Sequence, residues 1–268
     1  MNKNITLEID GCNLSINDVI RVAENPNFQV SISKPALELM KKSRTFVEEI
    51  VDKGDPVYGI NTGFGALSDK HIKKEDLKAL QYNLIRSHCT GVSNPLSKTV
   101  TRAIMLLRAN CLSQGSSGIN PEIVQLICDY INHDIIPVVP SKGSVGASGD
   151  LAPLSHIALT LIGEGEVFYK NKKMPTYQAL KQADLKEITL GPKDGLALIN
   201  GTAVMAGLGC MAVSLAERLL KSADIIASMT LEGIRGTMSA YDKRITLLKP
   251  HQGQVDSCDN LNFLLKGN

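Results

Sequence analysis

The chain has 268 residues, 43% hydrophobic and 21% charged, with a formal net charge of +2. That is enough apolar material for a real core, in one large domain or two smaller ones. The near-neutral balance excludes a nucleic-acid surface or an acidic tail as the organising feature, and the six cysteines form no C-x-x-C pair, which argues for reduced thiols over a disulfide framework or a metal site.

Met1 to Asp10 contains no apolar signal core, so the cytosol is the expected compartment. Ser15-Ile16-Asn17-Asp18 reads as a capping box opening a first helix. Ser33 before Lys34-Pro35 opens a second, with Leu37, Met40, Val47, Ile50 and Val51 at helical spacing and Gly54 as its stop. Pro56 to Gly65 carries Gly59, Gly63 and Gly65 and reads as a loop with unusual backbone angles. Helices are then predicted from Glu75 to Ser87, from a Ser97 cap to Gly115, and from Asn120-Pro121 through Ile131. Ile135 to Pro140 reads as an extended connector, and Asp150 is placed to cap a helix starting near Leu151. Glu166 to Met174 reads as an exposed hairpin, followed by a short helix around Tyr177 to Gln182. A long helix is predicted from Gly201 to Glu232. Its surroundings, Gly195 to Ala216, are uncharged and long enough to cross a bilayer, but Asn200, Thr202 and the glycines there point to a buried packing helix and not to a membrane. The fold class expected is mainly α, a long-helix bundle with a small N-terminal α+β region.

Several local patterns lack the context their chemistry needs. Gly207-Leu208-Gly209-Cys210-Met211-Ala212 matches G-x-G-x-x-A but lies inside a helical pattern with no strand before it, so close packing is the expectation. Ser155 and His156 are adjacent on a predicted helix, and their side chains do not face each other.

The informative stretch is Gly143-Ser144-Val145-Gly146-Ala147-Ser148-Gly149-Asp150. A run of small residues permits a sharp backbone bend. In Ala147-Ser148-Gly149 such a bend brings the Gly nitrogen onto the Ala carbonyl. Cyclisation with loss of water, then loss of the Ser hydroxyl as a second water, gives an imidazolone ring bearing an exocyclic methylidene. Asp150 is placed to assist the proton transfers, and converging helix N-termini would sharpen the ring's electrophilicity. Composition alone favours the plainer reading, a tight turn of small residues between an extended segment and a helix.

Gly143 to His156, with Ala-Ser-Gly-Asp inside it, resembles the signature of the histidine/phenylalanine/tyrosine ammonia-lyase family. Tyr58 to Gly65, Leu196 to Thr202, and Arg108-Ala109-Asn110 with Gly115 to Gly118 resemble further motifs of that family, in the same order. The resemblance implies that Ala147, Ser148 and Gly149 form the methylidene-imidazolone (MIO) cofactor, supported by Asp150. It implies Tyr58 as the base that takes the substrate's β-proton, a role a phenol can fill where its environment lowers its pKa. It implies Asn200 as a hydrogen-bonding partner of the substrate carboxylate or ring carbonyl, and Ser87 and His88 as selectivity residues. Ser-His at that place is similar to the histidine enzymes, whereas Ala203 after Asn200-Gly201-Thr202 is what many phenylalanine and tyrosine enzymes carry.

The expected reaction is non-oxidative deamination of L-histidine to trans-urocanate. Tyrosine or phenylalanine ammonia-lyase, or an aminomutase, are the alternatives. Residues 1–268 are expected to form one partial lyase domain, with an N-terminal region to about residue 110 and the start of the central bundle thereafter. Family members are longer, and their C-terminal half brings further pocket residues that have no counterpart here. A homotetramer with shared sites, a complementing second chain, or a non-catalytic fragment with uncovered bundle surface are therefore the expectations for its state.

Overall fold

The protein is described by a computed structural model covering residues 5–65, 68, 70–146 and 149–267. It is mainly α-helical and divides into two compact units, residues 1–211 and 212–268.

In the first unit, β1 (Thr6–Ile9) and β2 (Gln29–Ile32) pair in parallel, with α1 (Ile16–Glu24) connecting them. The capping box is formed: Ser15 Oγ accepts from Asp18 N, and the Asp18 carboxylate accepts from Ser15 N. α2 (Lys34–Lys53) begins at its Ser33 cap and ends at Gly54 in the left-handed conformation. α3 (Leu77–His88) follows the glycine loop. β3 (Val92–Pro95) leads into α4 (Lys98–Ser113), and α5 (Pro121–Asn132) opens at Asn120. β4 (Ile136–Pro137) and β5 (Pro140–Lys142) precede α6 (Leu151–Leu161). The predicted hairpin is β6 (Glu166–Tyr169) and β7 (Lys172–Pro175), turning at Lys170 and Asn171, both with positive φ. α7 (Thr176–Ala183), α8 (Asp194–Ile199) and α9 (Ala203–Gly233) complete the order.

α4 is the centre of the core. Ala103, Ile104, Met105 and Leu106 are buried on consecutive positions, so the helix is surrounded on all sides, and it packs on α1, α2 and α5. Its buried Arg102 is satisfied by carbonyls at the ends of its neighbours, donating to Val22 O (2.8 Å) and Ile131 O (2.7 Å). β3 pairs antiparallel with β5, which tethers the chain just after α3 to the chain just before the Gly/Ser/Ala stretch.

The second unit comprises the later turns of α9 with α10 (Lys243–Leu248) and α11 (Gln252–Leu264). Cys258, Leu261 and Leu265 form its buried face, and Asn262 Nδ2 donates to Tyr241 O (2.8 Å).

Two expectations are corrected. The long helix is not buried along its length. Ala203, Val204 and Gly207 lie inward, Gly207 against Ile104, but Met205, Leu208, Val213, Leu215, Leu219 and Leu220 are exposed. The reason is that the first unit's core reaches only to the first turns of α9, and Cys210 and Met211 are the last side chains packed on it. By length and composition alone the stretch Asp194–Gly233 is apolar enough to cross a membrane, with a mean hydropathy of 1.8 over an 18-residue window within it. The second correction concerns Asp150, whose carboxylate does not cap α6; its actual partners belong to the site.

Candidate active site

Ala147 and Ser148 lie outside the described residues, so the site is built from Gly149 outward. Gly149 has φ +107°, a conformation that favours glycine. A Cβ there would sit 2.9 Å from both N and O of Gly201 and 3.1 Å from Oδ1 of Asn200. Gly149, the described residue of the predicted triad, and the predicted Asn200 are thus brought together by a close backbone approach that a larger residue would block. The Asp150 N–H donates to Gly201 O at 2.7 Å and fastens the two segments together.

Asp150 is buried. Its Oδ2 accepts from Val204 N (3.0 Å) and Met205 N (2.9 Å), while Oδ1 accepts from Ser144 Oγ (3.3 Å). It therefore caps α9 from a distant point in sequence. Its own backbone, φ −95° and ψ 53°, is not the extended conformation from which a cap reaches the next turn, which is why α6 gets no side-chain cap from it. The N-terminal ends of α6 and α9 meet at this point, and their partial positive charges favour a carboxylate or any developing negative charge nearby.

α8, only six residues long, positions Asn200 and is clamped at both ends. At its start, Gln81 Oε1 from α3 accepts from Gly195 N (2.9 Å) and Leu196 N (3.3 Å). Asp194, fully buried, accepts from Asn120 N (3.0 Å), Gly191 N (2.7 Å) and Arg44 Nη1 (2.9 Å). Burial pushes the Asp194 carboxyl up, against Arg44 and the two backbone N–H groups that hold it down. At the C-terminal end Arg108 from α4 donates to Leu198 O (2.9 Å), to Asn200 O (3.0 Å) and to Ala197 O. Burial lowers the pKa of that guanidinium.

Tyr58 is 58% exposed at the tip of its loop. The loop is braced by Asn61, whose Oδ1 accepts from Val57 N (2.7 Å) and whose Nδ2 donates to Asp55 O (2.8 Å). Gly59, at φ +78°, packs directly on the Leu196 side chain, so the Tyr58 loop rests on α8.

His88 ends α3. Its Nδ1 lies 2.8 Å from Leu84 O, an acceptor only, so Nδ1 carries the hydrogen and the neutral ring keeps Nε2 as its acceptor. Ser87 Oγ donates to the same carbonyl (3.0 Å) and lies 3.1 Å from Nδ1. Closing the helix and fixing one tautomer are thus the same interaction. Cys89 is no rival nucleophile, because burial pushes its thiol up to about 12.

α3, α6 and α8 pack mutually, which gathers the C-terminal ends of α3 and α8 with the N-terminal end of α6. Asp150 is hydrogen-bonded to Gly201, and Gly149 lies close against the Asn200–Gly201 turn; Tyr58 and His88 are tied to them through α8 and α3. Two features were not read from the sequence as site residues. Arg108 interrupts an otherwise apolar helix face, a signal that could have marked it. His156 Nε2 accepts from Gly91 N (3.1 Å), just beyond Ser87-His88, and burial lowers its pKa. Ser155 Oγ instead donates to Leu151 O (2.7 Å), so the two adjacent residues make no dyad.

Residues 14–268 match the sequence profile of the aromatic amino acid lyases. This chain belongs to the aromatic amino acid lyase family. Among its lyase relatives, the histidine ammonia-lyase of Caldanaerobacter subterraneus subsp. tengcongensis is 49% identical over 97% of this chain and 51% of its own length. Among solved structures, histidine ammonia-lyase from Trypanosoma cruzi matches at a TM-score of 0.91 and 36% identity, over 96% of this chain and 50% of that one. Tyrosine aminomutase from Streptomyces globisporus matches at a TM-score of 0.93 and 36% identity, over 98% of this chain and 49% of that one. The lyase chain described here spans about half the length of the curated relatives it matches.

Proposed function

We propose that this chain carries the electrophile-forming half of a histidine ammonia-lyase, which removes ammonia from L-histidine without oxidation and releases trans-urocanate. The observation that carries the reading is the seating of the Asn200–Gly201 turn on Gly149, with Asp150 joining that turn to α9. The residues fit an MIO group: Gly149 adopts a left-handed backbone with no room for a Cβ, and the N-termini of α6 and α9 meet beside it. When formed, the group supplies an electron-poor alkene that captures the substrate.

The chain's own residues do the rest. Tyr58 accepts the β-proton. The Asn200 amide donates to the substrate carboxylate. His88, with Nδ1 committed to Leu84 O, leaves Nε2 to accept from the N–H of the substrate imidazole. Asp150, held by the two α9 N–H groups and Ser144, serves proton transfer during ring formation. We take residues 1–268 as part of one lyase domain, acting in the cytosol on a free amino acid. The pocket is completed by a homo-oligomer or by a complementing chain, in keeping with the coverage of half the relatives' length.

Ala203 and the likeness to a tyrosine aminomutase favour a second reading, an enzyme of tyrosine or phenylalanine built on the same cofactor. One experiment separates these. The intact mass of the chain is measured for a deficit of two waters. The chain is then incubated with L-histidine, L-tyrosine and L-phenylalanine, alone and with the C-terminal half of a histidine ammonia-lyase, and unsaturated acids are followed by ultraviolet absorbance. Urocanate supports the proposal, and cinnamate or coumarate alone refutes the histidine assignment. β-Amino acids by mass spectrometry identify an aminomutase. An unmodified mass without turnover in either format identifies a non-catalytic fragment.

A further inference from the structure

Arg108 is a buried cation, and burial of this kind is costly unless its charge-bearing N–H groups are matched. Its match is unusual. Its partners are the carbonyls of Ala197, Leu198 and Asn200, which lie at the C-terminal end of α8. Those oxygens have no partner within their own helix and carry its partial negative charge. A planar guanidinium reaches several of them at once from a fixed direction, and the point charge of a lysine does not.

The neighbouring glycine belongs to the same device. A Cβ on Gly201 would collide with Arg108 Nη1, so the guanidinium lies flush against the backbone of the turn. From there the path to the cofactor-forming triad is one residue long. Gly201 N and O are what a Cβ on Gly149 would strike, and Gly201 O accepts the Asp150 N–H at 2.7 Å. The free energy that binds Arg108 to the end of α8 is therefore coupled, through one backbone, to the bend at Gly149.

We infer that Arg108 is a positioning residue of the site: it holds the Asn200–Gly201 turn against Gly149 and so fixes both the substrate-facing amide and the bend from which the ring forms. The second half of this inference rests on the proposed MIO chemistry; the first half does not. Arg108 acts through the turn.

The test compares the full chain with Arg108→Lys and Arg108→Gln. Backbone hydrogen exchange is read by mass spectrometry with fragmentation fine enough to isolate the Asp150 amide. In Arg108→Lys, which keeps charge and most of the volume, exchange at Asp150 and across Asn200 to Met205 is expected to accelerate by about tenfold or more, with the α5 and β6–β7 segments unchanged. The intact-mass fraction lacking two waters is expected to fall in the same variant, and further in Arg108→Gln.

Unchanged exchange at Asp150, with fraying confined to Ala197–Ile199, overturns the inference. So does a uniform acceleration across all segments, which marks a merely structural arginine. If Arg108→Gln does not fold, Arg108→Lys decides alone. If the wild-type chain itself shows no loss of water, the MIO reading fails while the exchange result still decides whether Arg108 positions the turn.

Discussion

Removing the Asp150 carboxylate tests the claim that this residue joins the Gly149 bend to α9. Three donors converge on it, Val204 N, Met205 N and Ser144 Oγ, at 3.0, 2.9 and 3.3 Å, and the residue is 4% exposed. Asp150→Asn keeps an amide oxygen for the two helix N–H groups, and the Ser144 hydroxyl can rotate to accept from the new NH2. What is lost is the charge assistance at a helix N-terminus, about 1 kcal/mol. Asp150→Ala removes the acceptor altogether and leaves the buried Val204 N–H and the part-buried Met205 N–H unpaired. By the cost of lost caps and of orphaned buried donors, that amounts to roughly 2–4 kcal/mol. Urea unfolding followed by far-ultraviolet circular dichroism measures both through the transition midpoint at constant slope. The chain has no tryptophan, so helix content is the natural probe. The expected order is wild type, then Asn, then Ala, separated by those amounts. If Asp150→Ala lies within about 0.5 kcal/mol of wild type, the cap contributes nothing and the coupling of the bend to α9 is wrong.

Three further outcomes are expected. Gly149→Ala places a Cβ against Gly201 at a positive φ, so it should cost about 2 kcal/mol or more in urea unfolding and abolish the two-water mass deficit. Arg44→Met leaves Asp194 buried without its cation, so a loss of about 3–5 kcal/mol is expected in the same assay, and a loss under about 1 kcal/mol would show the pair is not needed to seat α8. His156 accepts from Gly91 N only when Nε2 is unprotonated, and burial lowers its folded-state pKa. The unfolded chain therefore binds more protons near the ordinary histidine pKa of about 6.5, and stability present above it falls as the pH drops through the folded pKa. Urea midpoints of wild type and His156→Gln taken from about pH 7.5 to about pH 5 should converge, and parallel curves would show that this histidine does not titrate on unfolding.

Much of the local structure was legible because its causes are local. The Ser15 capping box, the Ser33 and Ser97 caps, the Gly54 stop and the hairpin predicted over Glu166 to Met174 each depend on a few adjacent residues, and all formed where predicted. α8 was not legible, because six residues are too few for a periodic pattern, and its stability comes from Gln81, Arg44 and Arg108, which lie far away in sequence. Asp150 was read as a local cap because a sequence shows only the helix that follows; its real partner begins more than fifty residues later.

By itself, then, the sequence determined that the chain is mainly helical, where most helices begin, and that the motifs holding Tyr58, Ala147-Ser148-Gly149 and Asn200 follow the order of the family it resembles. Tertiary structure alone decided which of these touch. Gly149 meets Gly201 and Asn200, Asp150 caps α9, and His88 is locked in one tautomer, because backbone groups left unpaired at helix ends take partners by proximity in space, whatever their separation along the chain.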